Sequence, residues 1–339
     1  MRLRNTLAIG AAVVVGLSLT PGAAFGVERD VATNLVVPWD IDFLPDRSAL
    51  VTERGSARVL SVTGGVTREV ARIPGVSAQG EGGLLGIAVS PTYSTDRYVF
   101  VYYTSTSDNR IARFRIGETP QPIVTGIPRG RTIHNGGGLS FGPDGLLYAG
   151  TGDAGNTANA QNPGSLGGKI LRMTMDGRPA PGNPTSSLVY SLGHRNVQGL
   201  AWDAQRRMFA AELGQNRLDE LNRVQPGGNY GWPACEGPCN DPRFVDPVLT
   251  WSTAQASPSG LAFHQGNLYM AALRGQRLWK IPVAADGGVG RPQALFSGVY
   301  GRLRAVTAAP DGTLWFSTSN RDGRGTPQAG DDRIVSTTS

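Results

Sequence analysis

The chain has 339 residues, 40% of them hydrophobic, with 47 Gly and 23 Pro, which is enough apolar material for one or two cores and excludes disorder throughout. Its formal charge of +6 is spread along the sequence rather than clustered, so a phosphate-tracking nucleic-acid surface is not expected.

In chain order, the first feature is MRLRNTLAIGAAVVVGLSLTPGAAFG, where two arginines precede an apolar run and then small residues. That is the layout of a cleavable secretion signal, placed here at residues 1–26. The apolar run is short of the roughly 20 residues that cross a bilayer. No later stretch comes closer, so no stable membrane insertion is expected, and the mature chain is read as residues 27–339 in a secreted or periplasmic location. The two cysteines, Cys235 and Cys239 in CEGPC, have no further Cys or His nearby to complete a zinc site. They suit a small loop disulfide in an oxidising compartment.

A short apolar run, a turn with Asp or Gly, and a second apolar run recur six times. The copies begin at Asp40, Gly83, Gly137, Gly199, Gly260 and Ala305. Each reads as a pair of antiparallel strands joined by turns such as Pro143-Asp144-Gly145. Further strand-like runs lie between them, RVLSV, ARFRI, KILRMTM and RLWKI, giving about four strands per unit. Helical periodicity is nearly absent. Six units of roughly 50 residues predict an all-β fold, a six-bladed β-propeller of four-stranded antiparallel blades in one domain.

In a propeller, loops from every blade converge on one face, so distant residues are judged as one set. His134 in TIHNGGGL precedes the third copy and Asp153 in GTGDAGN ends its second strand. A hairpin brings them together, and a carboxylate on one ring nitrogen makes the other a better base. Arg195 and Asn196 in LGHRNVQGL, Arg274 in ALRGQRL, and Arg302 with Arg304 in GRLRAV hold equivalent positions in three blades. Such guanidiniums repel one another unless a multiply carboxylated anion lies between them. AELGQNRLDELNRVQPGGNYGWP offers Asp219, Glu220, the Tyr230 region and loop carbonyls, oxygen donors that suit calcium, though a solvated acidic loop explains them as well.

The ordered series EGGLLGIAVSP, the His134 to Asp153 block, GHRNVQGLAWD, DELNRVQPGGNYGWP, ASPSGLAF and ALRGQRLWKI resembles the soluble pyrroloquinoline-quinone (PQQ)-dependent sugar dehydrogenases over nearly the whole mature chain. The resemblance implies oxidation of an aldose to its lactone, with His134 as general base, Asp153 supporting it, and Arg195, Asn196, Arg274, Arg302 and Arg304 on the PQQ. It also implies a catalytic calcium, Ca2+, on the carbonyls of Gly214 and Gln215, and a structural calcium using Glu220 and Tyr230. Glu81 stands where glucose-oxidising members have Gln, Arg274 where they have Lys, and Ile133 where Asp precedes the histidine, so the sugar is left open. Glu81 beside an anionic cofactor calls for a pairing arginine or a raised pKa. The partners implied are a small aldose and an external electron acceptor, and the short chain suggests a monomer or weak dimer. A non-catalytic propeller binding glycans or proteins, and a calcium-dependent lactonase-type hydrolase, are the competing readings.

Overall fold

The computed structural model describes residues 26–338, so the expected secretion signal lies outside the described residues save for Gly26. Six four-stranded antiparallel sheets form six blades. The innermost strands are Pro38–Phe43, Leu84–Val89, Leu139–Phe141, Val197–Trp202, Pro258–His264 and Leu303–Ala308, each packed beside the next around a ring. The repeats in the sequence are the two inner strands of each blade. The ring closes between the chain ends: Arg29–Ala32 pairs with Ile334–Thr337 as the outer strand of the sixth blade. Among the described residues the helices are two single turns, Tyr93–Asp96 and Ala158–Gln161.

The second strands Ala49–Glu53, Val99–Thr104 and Met208–Glu212 are buried along their whole length, because neighbouring blades cover both of their faces. Between the second and third blades, Phe100, Ile111, Leu147 and Leu171 form one such core, with Phe141 edge-on to Phe100.

Glycines lie in several inner strands because the strands crowd at the axis. A Cβ on Gly86 would lie 2.2 Å from the Gly137 carbonyl, one on Gly199 2.4 Å from that of Ser259, and one on Gly260 2.7 Å from that of Arg304. Bulges fall at the same places, between Leu84 and Ile87, Val197 and Gly199, and Pro258 and Leu261, and bend each strand away from the axis. Gly199→Ala is therefore expected to cost about 1–3 kcal/mol, the usual cost of overpacking. Equilibrium urea unfolding measures it, and an unchanged midpoint contradicts the crowding.

One reading is corrected. Asp219 and Glu220 do not lie on a solvated acidic loop: they sit on the strand Leu218–Val224, third in the fourth blade, and both are buried. The alternation of LDELNRV was masked by its polar residues, several of which face a buried network rather than water.

Candidate active site

His134 stands just before the inner strand of the third blade with φ +56°, a conformation that costs a non-glycine residue energy and persists only where its surroundings hold it. They do so here. Its N–H donates to Glu81 Oε2 (2.9 Å) and its carbonyl accepts the Ala154 N–H (3.2 Å). The ring Nδ1 is 2.6 Å from Asp153 Oδ1, and Asp153 Oδ2 accepts the Trp232 indole N–H at 2.8 Å. Burial pushes the Asp153 carboxyl up, but the bond to His134 and the N–H groups of Gly155 and Trp232 outweigh it and hold the pKa below the usual range. An ionised Asp153 fixes the proton on Nδ1 and leaves the Nε2 lone pair for a substrate hydroxyl.

A cleft of about 570 Å³ is lined by Arg54, Arg274, Arg302, Arg304 and Arg324 against two carboxylates, Glu81 and Asp322. Neither His134 nor Asp153 is in its wall, and His134 is tied to it through Glu81, which accepts the His134 N–H. Asp322 Oδ2 meets Arg302 at 2.9 Å and Arg304 at 3.5 Å, and Arg304 Nε donates to Ser319 Oγ (3.0 Å). Burial, and after it the like charge of Arg54, pushes the Arg304 pKa down. The Arg54 pKa is likewise lowered, chiefly by burial. Two carboxylates cannot neutralise five guanidiniums, and an anion in the cleft relieves their repulsion. Glu81 Oε1 has the arginine partner its position called for, Arg324 at 3.1 Å.

Arg195 does not line the cleft directly. Its guanidinium rests over the Trp232 ring and donates to the carbonyls of Leu213 (3.0 Å) and Gly214 (2.6 Å). Leu213 is itself a wall of the cleft. Asn196 is buried, and its Oδ1 accepts the Gly136 N–H (2.9 Å), fastening the fourth blade to the backbone beside His134.

Gly214 and Gln215 begin a tight turn whose N–H groups at 215, 216, 217 and 218 all donate to Glu236 Oε1, at 2.7 to 3.1 Å. Behind it, Glu220 and Glu212 are both buried and share the Asn222 amide, at 3.1 and 3.2 Å, while Asn222 Oδ1 has no partner. Burial raises the Glu220 pKa, and the nearby Glu212 raises it further. Tyr230 stacks on His194, and its hydroxyl bonds the backbone at Arg223 and Gln225. Cys235 and Cys239 are joined by a disulfide.

Ser191, His194 and Glu212 line up as hydroxyl, imidazole and carboxylate, with His194 Nε2 2.8 Å from Ser191 Oγ and Nδ1 2.7 Å from Glu212. All three are buried. A substrate cannot reach that hydroxyl, so this trio is internal scaffolding.

A family model described as glucose/sorbosone dehydrogenase matches residues 35–326. The chain belongs to the glucose/sorbosone dehydrogenase family. It is similar to the aldose sugar dehydrogenase of Streptomyces coelicolor, solved with PQQ bound, at 52% identity and TM-score 0.88, covering 92% of this chain and 98% of that one. A putative oxidoreductase (glucose dehydrogenase) of Thermus thermophilus is 42% identical with TM-score 0.86, over 92% and 99% of the two chains. The aldose sugar dehydrogenase YliI of Escherichia coli is 28% identical over 328 residues, 84% of this chain and 88% of that protein. This chain is thus an oxidoreductase of the sugar dehydrogenase type.

Sequence reasoning about this dehydrogenase passed over Arg54, Asp322, Arg324 and Trp232. Arg54 was within reach, because TERG in the first copy stands where ALRG, with Arg274, stands in the fifth. Arg324 and Asp322 lie in a polar loop, RDGRG, with no pattern to separate a cleft wall from a solvated turn. Trp232 meets Asp153 across 79 residues, a distance that no local spacing reveals.

Proposed function

We propose that this protein is an exported aldose dehydrogenase that binds PQQ in the arginine-lined cleft and oxidises the sugar at its anomeric carbon to the lactone. The observation that carries the reading is five arginines facing two carboxylates, one of which, Glu81, holds the backbone of a His134–Asp153 pair whose geometry suits a general base. A flat, multiply carboxylated quinone matches the fork geometry of Arg274, Arg302 and Arg304. When bound, the quinone supplies the hydride acceptor, and calcium polarises it as a Lewis acid.

The chain's own residues do the rest. His134 Nε2 takes the proton of the anomeric hydroxyl while the hydride leaves the same carbon, so the C–O bond gains its double-bond character as the C–H bond breaks. Asp153 stabilises the resulting imidazolium. Glu81, paired with Arg324 and holding the His134 N–H, stands in the cleft wall on the quinone.

The donors present fit calcium. The Leu213 and Gly214 carbonyls already converge on a cation, the Arg195 guanidinium, and the Gly214 and Gln215 carbonyls would hold the catalytic ion. Glu220, with the Tyr230 segment, would hold a second, structural ion, which the unpartnered Asn222 Oδ1 and the paired acids Glu212 and Glu220 support. The disulfide supports an oxidising compartment. We read residues 1–26 as the export signal, residues 27–339 as the catalytic domain, and the protein as a monomer or weak dimer that passes electrons to an external acceptor. Among the described residues no helix is long and apolar enough to cross a membrane.

Adding PQQ and calcium to purified protein is expected to produce dye reduction that depends on an aldose. Saturating addition without sugar-dependent turnover contradicts the reading. Glu220→Gln is expected to lose most of the calcium-dependent rise in Tm, as calorimetry with and without chelator can establish. An equal rise in the variant removes Glu220 from the structural site.

A further inference from the structure

Glu236 belongs to the five-residue loop closed by Cys235 and Cys239, outside the cleft. Its Oε1 accepts the N–H groups of Gln215, Asn216, Arg217 and Leu218 at 2.7, 2.9, 2.9 and 3.1 Å. Burial raises the Glu236 pKa somewhat, but these donors outweigh it and hold it below the usual carboxylate range.

The direction of those N–H groups fixes something else. In a trans peptide the C=O of one residue points opposite to the N–H of the next. Drawing the Gln215 N–H onto Glu236 turns the Gly214 carbonyl away from Glu236, and drawing the Asn216 N–H turns the Gln215 carbonyl away in the same manner. The first consequence is visible: the Gly214 carbonyl meets the Arg195 guanidinium on the side away from the loop. The turn is tight enough to exclude a side chain at its start, since a Cβ on Gly214 would fall 1.8 Å from the Leu218 carbonyl and 2.8 Å from Glu236 Oε1.

The same small loop holds the other expected calcium donor. Gly237 N–H donates to Glu220 Oε1 at 2.7 Å. At its far end, Cys239 N–H donates to Asp246 Oδ1 (2.7 Å), and Gly231, beneath the disulfide, leaves no room for a Cβ beside either sulfur. The loop is held from several sides, and through Glu236 and Gly237 it reaches both donor sets.

We propose that Glu236 is a positioning residue for calcium: presented by the Cys235–Cys239 loop, it aims the carbonyls of Gly214 and Gln215 at the metal. This rests on the calcium reading given above. A backbone carbonyl is a neutral ligand whose value depends on its aim. The Gln215 and Asn216 N–H groups fixed on one oxygen supply that aim before the ion arrives, and those of Arg217 and Leu218 hold the rest of the turn.

The test needs no turnover. Apo protein is titrated with calcium at fixed PQQ, the quinone absorbance reporting binding, for wild type, Glu236→Ala and Glu236→Gln. Hydrogen exchange of residues 214–218 is followed without metal. Glu236→Ala is expected to raise the calcium concentration for half-binding at least tenfold and to speed exchange in this turn above all other segments. Glu236→Gln, which keeps one amide oxygen as acceptor, is expected to fall between it and wild type, and serves alone where the alanine variant does not fold. The Cys235→Ser, Cys239→Ser double variant is expected to shift in the same direction. Wild-type calcium dependence in the Glu236 variants overturns the proposal alone. Calcium-independent quinone binding by wild type overturns the metal reading and the proposal with it.

Discussion

With His134 replaced by alanine, kcat for aldose oxidation is expected to fall by about 10²–10⁴-fold, the usual contribution of a positioned general base, while the quinone still binds. The two effects separate because His134 is tied to the cleft through Glu81 alone: its bonds run to Glu81 and Asp153, not to the arginines. Asp153→Asn is expected to lose a large part of the same factor. The Trp232 indole N–H and the Gly155 N–H already occupy the carboxylate oxygens. An amide in that place keeps one acceptor oxygen and sets an NH₂ group against either His134 or one of those N–H donors. The imidazole then takes the wrong tautomer or loses its orientation. Stopped-flow reduction of bound quinone by an aldose isolates the step. Loss of kcat without loss of quinone affinity is the expected pattern, and a His134→Ala enzyme of undiminished kcat removes the proton-transfer role.

Arg304→Ala and Arg302→Ala are expected to act on the other half of the site, weakening the quinone itself. Truncating one partner of a buried, hydrogen-bonded charge pair costs about 2–5 kcal/mol, or roughly 30-fold or more in Kd. Both guanidiniums already share Asp322, and Arg304 is the more deeply buried, with its charge pressed by Arg54. Removing either one leaves Asp322 less well neutralised in a cleft that must receive an anion, so the double variant is expected to be worse than either single one though less than additive. Arg304→Lys keeps the charge and loses the fork, and is expected to recover only part of the affinity. Equilibrium titration of quinone absorbance decides it: Kd values within about twofold of wild type in the single variants would mean that the cofactor does not sit against these two residues.

The fold was legible because its signal repeats. Six copies of an apolar pair with turn chemistry at regular intervals leave few architectures open, and each copy proved to be the inner two strands of a blade. The closure was not legible, since RDVA near the start and IVST near the end are too short to announce that they pair across the whole chain. The contact between His134 and Asp153 could be read because one hairpin carries both ends of the pair. Arg302 and Arg304 could be placed on the same face as Arg274 because they hold equivalent positions beside a repeat in their blade, and both line the cleft with it. Asp219 and Glu220 were misplaced onto a loop because LDELNRV reads as a solvated stretch until the carboxylates are seen buried, Glu220 beside Glu212 and Asn222. Glu236 escaped altogether: CEGPC draws the eye to its cysteines, and the carboxylate between them matters only through four peptide groups some twenty residues earlier.

The most direct measurement is a crystal structure of the protein soaked with PQQ and calcium. One quinone per chain is expected in the cleft of residues 54, 274, 302 and 304, its carboxylates on those guanidiniums and one face open to His134 Nε2. Quinone bound elsewhere, or lying in the cleft with His134 out of reach of any sugar placed against it, contradicts the assignment.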